Sequence, residues 1–450
     1  MFICSGLLFL IFSMVLACPV RNAQAVTSEE NPNTIKLRVK AERIERRIMQ
    51  LAEFGKNPEG GVSRVAFSAA DIEGRNFIIS LMKEAGLSVR IDAAGNIIGR
   101  REGKNPQQPA ILFGSHIDSV PNGGNYDGDV GVIAAIECVQ ILHENNILTE
   151  HPLEVIVFSD EEGGLVGSRA LIDELTPEAL KVVSHSGKTI QEGIRAIGGN
   201  PDNLAEAQRK RGDFKAFIEL HIEQGSILES EKLDIGVVEG IVGINWWDVT
   251  IEGLANHAGT TPMNRRHDAL LAAAHLIITV NKVVTSIHGR QVGTVGRITA
   301  EPGAPNVIPG KVVMSLELRD LSAKKINSLF QKIQQQAKVI EKKSGTRISF
   351  TAIDVTAVPA PTDVRMQKII AEAARELNLS YQIMPSGAGH DAQDLTRIAA
   401  TGMIFVPSVA GISHSPKEYT RPEDMANGAN VLLQTILKID QGALESNNAK

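Results

Sequence analysis

Histidine, aspartate and glutamate recur in five short segments of this chain. They are Gly114-Ser115-His116-Ile117-Asp118, Tyr126-Asp127-Gly128, Asp160-Glu161-Glu162-Gly163, Glu219-Leu220-His221-Ile222-Glu223-Gln224-Gly225 and Gly411-Ile412-Ser413-His414-Ser415-Pro416. Three imidazoles (His116, His221, His414), Asp127 and one glutamate make a donor set for two divalent cations. A protein-bound pair of such cations turns water into a nucleophile at neutral pH, so the chemistry to weigh first is hydrolysis. Asp127 alone would read as the N-cap of the helix that follows. His116, eleven residues earlier, points instead to a carboxylate bridging two cations roughly 3.5–4 Å apart. Asp118 is placed either to hydrogen-bond the His116 ring and fix its tautomer, or to be a solvated residue at a strand end. Glu161 and Glu162 are adjacent after a strand, so one can bind a cation while the other faces water as general base. His143, His151, His185, His267, His275 and His288 lack such a setting and read as surface or structural residues.

Short apolar runs at 110–113, 153–158, 214–220 and 403–406 read as buried parallel strands. Helical patterns lie at 36–54, 69–85 and 130–145, with Ser68 as N-cap of the second and Gly55 as the stop of the first. The candidate ligands come directly after strands, and ligand sites in open α/β sheets lie beyond the carboxyl ends of the strands. Near residue 240 the composition shifts. Strand-like 246–252, helical 268–286, strand-like 291–300 and 311–319, helical 322–344 and strand-like 346–355 give the order β-α-β-β-α-β, the ferredoxin-like pattern. Helical 363–377 and 423–439 return the chain to the first fold. The fold class is thus α/β, a mixed-sheet catalytic domain covered by helices and interrupted by an inserted ferredoxin-like domain. The expected division is 1–25 signal peptide, 26–240 and 358–450 catalytic domain, and 241–357 insert.

At 450 residues with 43% apolar content, the chain is long enough for two domains. Its net charge of −6, lack of a basic run and two tryptophans (Trp246, Trp247) argue against a nucleic-acid partner. Residues 6–17 are apolar over the length of a secretory h-region, and Ala23-Gln24-Ala25 offers a cleavage site after Ala25. Cleavage there predicts an exported protein, periplasmic or secreted, and no membrane contact beyond the signal. An uncleaved chain would be cytoplasmic or anchored. Of Cys4, Cys18 and Cys138, cleavage leaves only Cys138, which reads as buried within a helix.

From residue 44 to 439 the chain resembles the M20 metallopeptidase superfamily, and within it the amidase/hydantoinase/carbamoylase branch. The motifs that carry the resemblance are 114–121 (GSHIDSVP), 126–128 (YDG), 160–163 (DEEG), 219–225 (ELHIEQG), 255–263 (ANHAGTTPM), 305–310 (PNVIPG), 317–320 (ELRD), 386–392 (SGAGHDA) and 413–416 (SHSP). The resemblance implies two divalent ions per subunit, Zn²⁺, Mn²⁺ or Co²⁺. Asp127 would bridge them, His116 and His221 would hold one, and Glu162 and His414 the other. Glu161 would be the general base and His257 the oxyanion stabiliser. Asn306 and Arg319 would bind the substrate carboxylate. Gln224, Gly389 and His390 would belong to the substrate pocket, with Arg266 at a further motif position. Without the resemblance, Arg319 also reads as a strand-end ion pair with Asp320. The inserted domain would act as lid and dimerisation domain of a homodimer. The implied activity is hydrolysis of a linear ureido or amide bond, most simply in an N-carbamoyl-L-amino acid. Allantoate or ureidopropionate hydrolysis, then a peptidase or N-acyl-amino-acid deacylase, are the alternatives, with a non-catalytic binding protein the remotest. One departure stands out: the branch usually has Arg-Phe and a longer loop after Glu-Glu-Gly, where this chain has Gly163-Gly164-Leu165-Val166-Gly167-Ser168.

Overall fold

The computed structural model describes residues 37–446. The expected signal peptide, with Cys4 and Cys18, lies outside them. The strands, in chain order, are β1 (Ser88–Ile91), β2 (Ile97–Arg101), β3 (Ala110–His116), β4 (Leu153–Phe158), β5 (Phe214–Ile222), β6 (Ile235–Ile241), β7 (Gly243–Glu252), β8 (Asn256–His257), β9 (Val292–Thr294), β10 (Ile298–Glu301), β11 (Val307–Ile308), β12 (Lys311–Asp320), β13 (Arg347–Ala357), β14 (Ala360–Pro361), β15 (Tyr381–Ser386) and β16 (Thr401–Val406).

A nine-stranded mixed sheet has the order β1-β2-β4-β3-β5-β16-β6-β14, with β15 alongside β6. The four apolar runs expected to be parallel strands are its centre: β4, β3, β5 and β16 pair parallel in that order. Every residue of β3, β4 and β16 is buried, because both faces of this sheet are covered. On one face lie the helices Asp129–Glu144, apolar almost all round, and Pro422–Asp440, with Ala41–Leu51 packed against both. On the other, Leu112, Phe158, Phe217, Met403 and Phe405 meet Leu171, Ala392 and Leu395. β3 runs on to His116 and β5 to Ile222, so both histidines sit within strands rather than after them.

Between β6 and β14 the chain builds a separate antiparallel sheet, β10-β12-β7-β13, with β9 also on β12. With the helices Ala269–Thr285 and Ala323–Ser344, this is the β-α-β-β-α-β order read from sequence. The expected 291–300 strand is broken into β9 and β10. Side chains of β12 alternate between buried and half-buried along its length, since only one face packs on the helices. Both helices start at side-chain caps. Asp268 accepts the amides of Leu270 and Leu271, Ser322 accepts that of Lys325, and Gly345 ends the second in the left-handed region.

Candidate metal centre

β3 and β5 are paired neighbours, and this brings His116 and His221 together with Nε2 atoms 3.5 Å apart. The Nδ1 atom of His116 lies 3.0 Å from the carbonyl of Asp118, and that of His221 lies 2.9 Å from the carbonyl of Ile222. A carbonyl only accepts, so each Nδ1 carries a proton, and each ring in its neutral form offers an Nε2 lone pair to a cation. Asp127 Oδ1 stands 3.4 and 3.1 Å from those two Nε2 atoms. With both rings neutral, three ligand atoms thus converge in an arrangement that a cation fits.

The other oxygen of Asp127 faces the second half of the set. Oδ2 lies 3.5 Å from His414 Nε2, which is 3.4 Å from Glu162 Oε1. The five expected ligands therefore form two groups, His116–Asp127–His221 and Asp127–Glu162–His414, that share Asp127. Asp127 reaches this position through Gly128, whose φ of +69° turns the chain into the helix. A Cβ at Gly128 would fall 2.5 Å from the His116 ring, so only glycine lets the turn come so close.

Asp118 acts differently from the sequence reading. Its carbonyl, not its carboxylate, orients His116, and its carboxylate oxygens accept the backbone amides of Glu161 (3.2 Å) and Glu162 (3.1 Å). It is buried rather than solvated and holds the turn that carries both glutamates. That turn is the shortened loop. Asp160 and Leu165 are both left-handed and bracket the one-turn helix Glu161–Gly164. The Glu161 side chain is largely buried, with Oε2 3.8 Å from His116 Nε2, yet it belongs to neither cation group.

Charge follows this geometry. Burial pushes Glu161 well above the usual carboxylate range, with Asp391 and Glu162 adding to the rise and His116 opposing it. Burial and the neighbouring Asp127 push Glu162 up to about 7. Burial alone would raise Asp127 too, but His221, His116 and His414 hold it well below its ordinary value. Its hydrogen bond to Asp127 raises His414 to about 9.

Gln224, left-handed at φ +56°, donates from Nε2 to Asp127 Oδ2 at 2.7 Å and lies 3.4 Å from His414 Nε2. His390 departs from the expected substrate contact. Its ring is buried edge-on behind His221, with centroids 4.5 Å apart, and its Nε2 lies 2.9 Å from Ser386 Oγ. Gly389 precedes it, at the start of the short helix Asp391–Leu395.

The residues expected from the inserted unit lie on other elements. β8 and β11 form a two-stranded ribbon that sets His257 opposite Val307 and beside Asn306, whose carbonyl accepts the Ala258 amide at 3.0 Å. His257 Nδ1 accepts the amides of Gly259 (3.0 Å) and Thr260 (3.1 Å), which leaves the proton on Nε2, on an exposed ring. Arg266 braces the same loop through the carbonyls of Thr261 and Ala258. Among the described residues, no hydrogen bond joins this ribbon to the five ligands. Arg319 does not pair with Asp320, which binds Lys325 at 3.0 Å. Its Nε and Nη2 donate to Glu317 (2.7 and 3.1 Å), a carboxylate that also accepts the Trp246 indole, and its Nη1 donates to Gly387 O at 2.6 Å. That bond ties the insert to the loop leading to Gly389 and His390.

Several residues that matter here went unseen in sequence. The buried guanidinium of Arg64 donates to the carbonyls of Ile117, Leu51 and Phe54 and to Asp129, tying the segment after His116 to the helix after Asp127. Glu219 accepts from Ser115 Oγ and the Ala392 amide, bracing β3 and the His390 turn. Glu418 is buried against the backbone of Asp127 and His414. An arginine amid the apolar stretch 62–67 was the only signal for the first, and four-residue spacing from His414 for the last.

The chain matches the model of Peptidase family M20/M25/M40 over residues 112–438. It is 43% identical over 409 residues to an N-carbamoyl-L-amino acid amidohydrolase of Geobacillus stearothermophilus, covering 90% of this chain and all of that one. It is 42% identical over 415 residues to a ureidoglycolate hydrolase of Arabidopsis thaliana, covering 90% and 87%. Among solved structures it superposes on an amidase of the hydantoinase/carbamoylase family from Burkholderia multivorans with a TM-score of 0.85 and 35% identity, covering 90% and 98% of the two chains. With its ligand-bearing strands and a shared aspartate at their ends, the chain belongs to the metal-dependent hydrolases of peptidase family M20/M25/M40, among the hydantoinase/carbamoylase amidases.

Proposed function

We propose that this protein is a two-cation amidohydrolase cleaving a linear C–N bond in a small ureido or amide carboxylate, first of all an N-carbamoyl-L-amino acid. The observation that carries this reading is Asp127, with one oxygen facing two imidazole lone pairs and the other facing His414 beside Glu162. The similarity to N-carbamoyl-L-amino acid amidohydrolases over nine-tenths of the chain supports the substrate class. Bound Zn²⁺, Mn²⁺ or Co²⁺, among which a His/carboxylate set does not choose sharply, supplies Lewis acidity that polarises a carbonyl and lowers the pKa of water. Glu161, beside His116 and in neither ligand group, takes the proton of the attacking water and hands it to the leaving nitrogen. His257 donates from Nε2 to the oxyanion. Asn306 and the Arg319 fork hold the substrate carboxylate, which displaces Glu317 from the guanidinium. Gln224 and Gly389 border the substrate, and His390 supports His221 from behind.

We also infer a homodimer formed through the insert, whose helix Ala269–Thr285 turns Leu270, Leu271 and Ile278 outward at 39%, 51% and 52% exposure. A ribbon without bonds to its own chain's ligands suits His257 and Asn306 serving across that interface. Export with cleavage after Ala25 is part of the proposal, and N-terminal sequencing of the mature protein should begin at Val26.

The test is a panel of N-carbamoyl-L-amino acids, allantoate, ureidoglycolate, 3-ureidopropionate and dipeptides with added Mn²⁺ or Zn²⁺. Highest kcat/KM on an N-carbamoyl-L-amino acid is expected, and turnover of dipeptides alone would overturn the reading. The Arabidopsis relative, almost as similar, favours ureidoglycolate as second reading. The same panel decides it.

A further inference from the structure

We propose that Glu418 is the positioning residue for the second cation, clamping the Asp127 turn to the His414 loop. The inference rests on the two-cation reading above. Glu418 lies between His414 and the helix Pro422–Asp440 and is only 4% exposed. Its Oε1 accepts the amides of Tyr126 (2.9 Å) and Asp127 (3.0 Å). Its Oε2 accepts the amide of His414 (3.2 Å) and lies 2.9 Å from Ser413 Oγ, a hydroxyl that also stands 2.8 Å from Asp127 Oδ2. No lysine or arginine pairs with it among the described residues.

A buried carboxylate without a counter-cation persists only where hydrogen-bond donors surround it. Here every donor comes from one of two ligand-bearing segments nearly three hundred residues apart, so satisfying Glu418 requires those segments to meet. Two local features fit this requirement. A Cβ at Gly124 would fall 2.1 Å from Glu418 Oε1, so glycine there lets the carboxylate in. His414 is held at φ +53°, a conformation that costs a non-glycine residue energy and persists only where the surroundings enforce it. The first cation's imidazoles need no such clamp. His116 and His221 stand on paired strands with their own carbonyl partners and make no bond to Glu418. Loss of Glu418 should therefore fall on the Asp127–Glu162–His414 group.

Calorimetric Mn²⁺ titration of the chelated full chain tests this. Wild type should take two equivalents. Glu418→Gln puts an amide NH₂ against backbone N–H groups, and should keep the first Kd within about threefold while raising the second about 10–100-fold, the usual effect of losing a ligand's supporting partner. An unchanged second Kd, or equal weakening of both, overturns the proposal. Equal weakening would mark Glu418 as a general structural residue. Should circular dichroism show Glu418→Gln unfolded, Ser413→Ala removes one of the four donors. A selective rise in the second Kd is then expected, and wild-type constants would overturn it. A wild type binding fewer than two equivalents defeats the two-cation reading and this inference together. Two equivalents in both proteins with the same second Kd defeats this inference alone.

Discussion

Replacing Glu161 with glutamine separates proton transfer from metal binding. The side chains are nearly isosteric, and the two amides that Asp118 anchors belong to the backbone, so the turn should keep its shape. Glu161 stands outside both ligand groups, so cation content should not change. What disappears is a carboxylate 3.8 Å from His116 Nε2 and buried enough to be pushed well above the ordinary range. A single general acid–base transfer is worth about 10²–10⁴ in rate. Glu161 is assigned both proton uptake from water and delivery to nitrogen, so the loss should reach the upper end, about 10⁴ in kcat or roughly 5.5 kcal/mol. Because the buried carboxylate is opposed by Asp391 and Glu162, the variant should melt no lower than wild type. The assay is initial-rate ammonia release from an N-carbamoyl-L-amino acid, with metal content by mass spectrometry and melting on the same samples. A kcat within tenfold of wild type at full metal content would refute the assignment. So would metal loss that by itself accounts for the lost rate.

Arg319→Ala should raise KM about 10–100-fold for carboxylate substrates, the worth of a charge-assisted hydrogen bond, and an equal rise for an amide without a carboxylate would reject its role. Asp118→Asn replaces one acceptor with an NH₂ that faces the Glu161 or Glu162 amide. It should lower kcat about tenfold or more, whereas unchanged kinetics would leave Asp118 without that function. Burial raises Asp394 to about 6, above its unfolded value near 3.8, so its ionisation opposes folding at pH 7 and the penalty fades as pH falls through 6 towards 4. Asp394→Asn, which can still accept the Ser168 hydroxyl, should therefore stabilise the protein at pH 7 by up to about 3 kcal/mol, with the gain vanishing near pH 4. A gain independent of pH in denaturant unfolding would contradict this.

The centre of the large sheet was legible because strands buried on both faces are continuous apolar runs, and β3, β4, β5 and β16 all show one. β1 and β15, with exposed or half-buried residues, and the two-residue β14 carry no such run and were missed, as were β2, which ends in Arg100 and Arg101, and β6, whose buried run is interrupted by Gly236, Glu239 and Gly240. The insert was legible through the alternation along β12 and the long helices, although the break at 295–297 splits one expected strand. The candidate ligands could be picked out because imidazoles and carboxylates at strand ends have few other uses, and the fold brings all five together. Their supports could not. Whether the carbonyl or the carboxylate of Asp118 reaches His116 depends on backbone direction, which residue type does not encode. Arg319 finding Glu317 instead of Asp320 follows from strand geometry: residues two apart share a face, and neighbours do not. Arg64 and Glu418 act on segments distant in sequence, so only the folded chain reveals them.

Hydrolysis of a ureido or amide bond by two cations sharing Asp127 can be followed as ammonia release from an N-carbamoyl-L-amino acid while chelated protein is reloaded with Mn²⁺ from zero to two equivalents. No turnover is expected without metal, full activity only as the second equivalent binds, and background rates on a dipeptide throughout. Turnover by the chelated protein, a plateau at one equivalent, or faster cleavage of the dipeptide would contradict it.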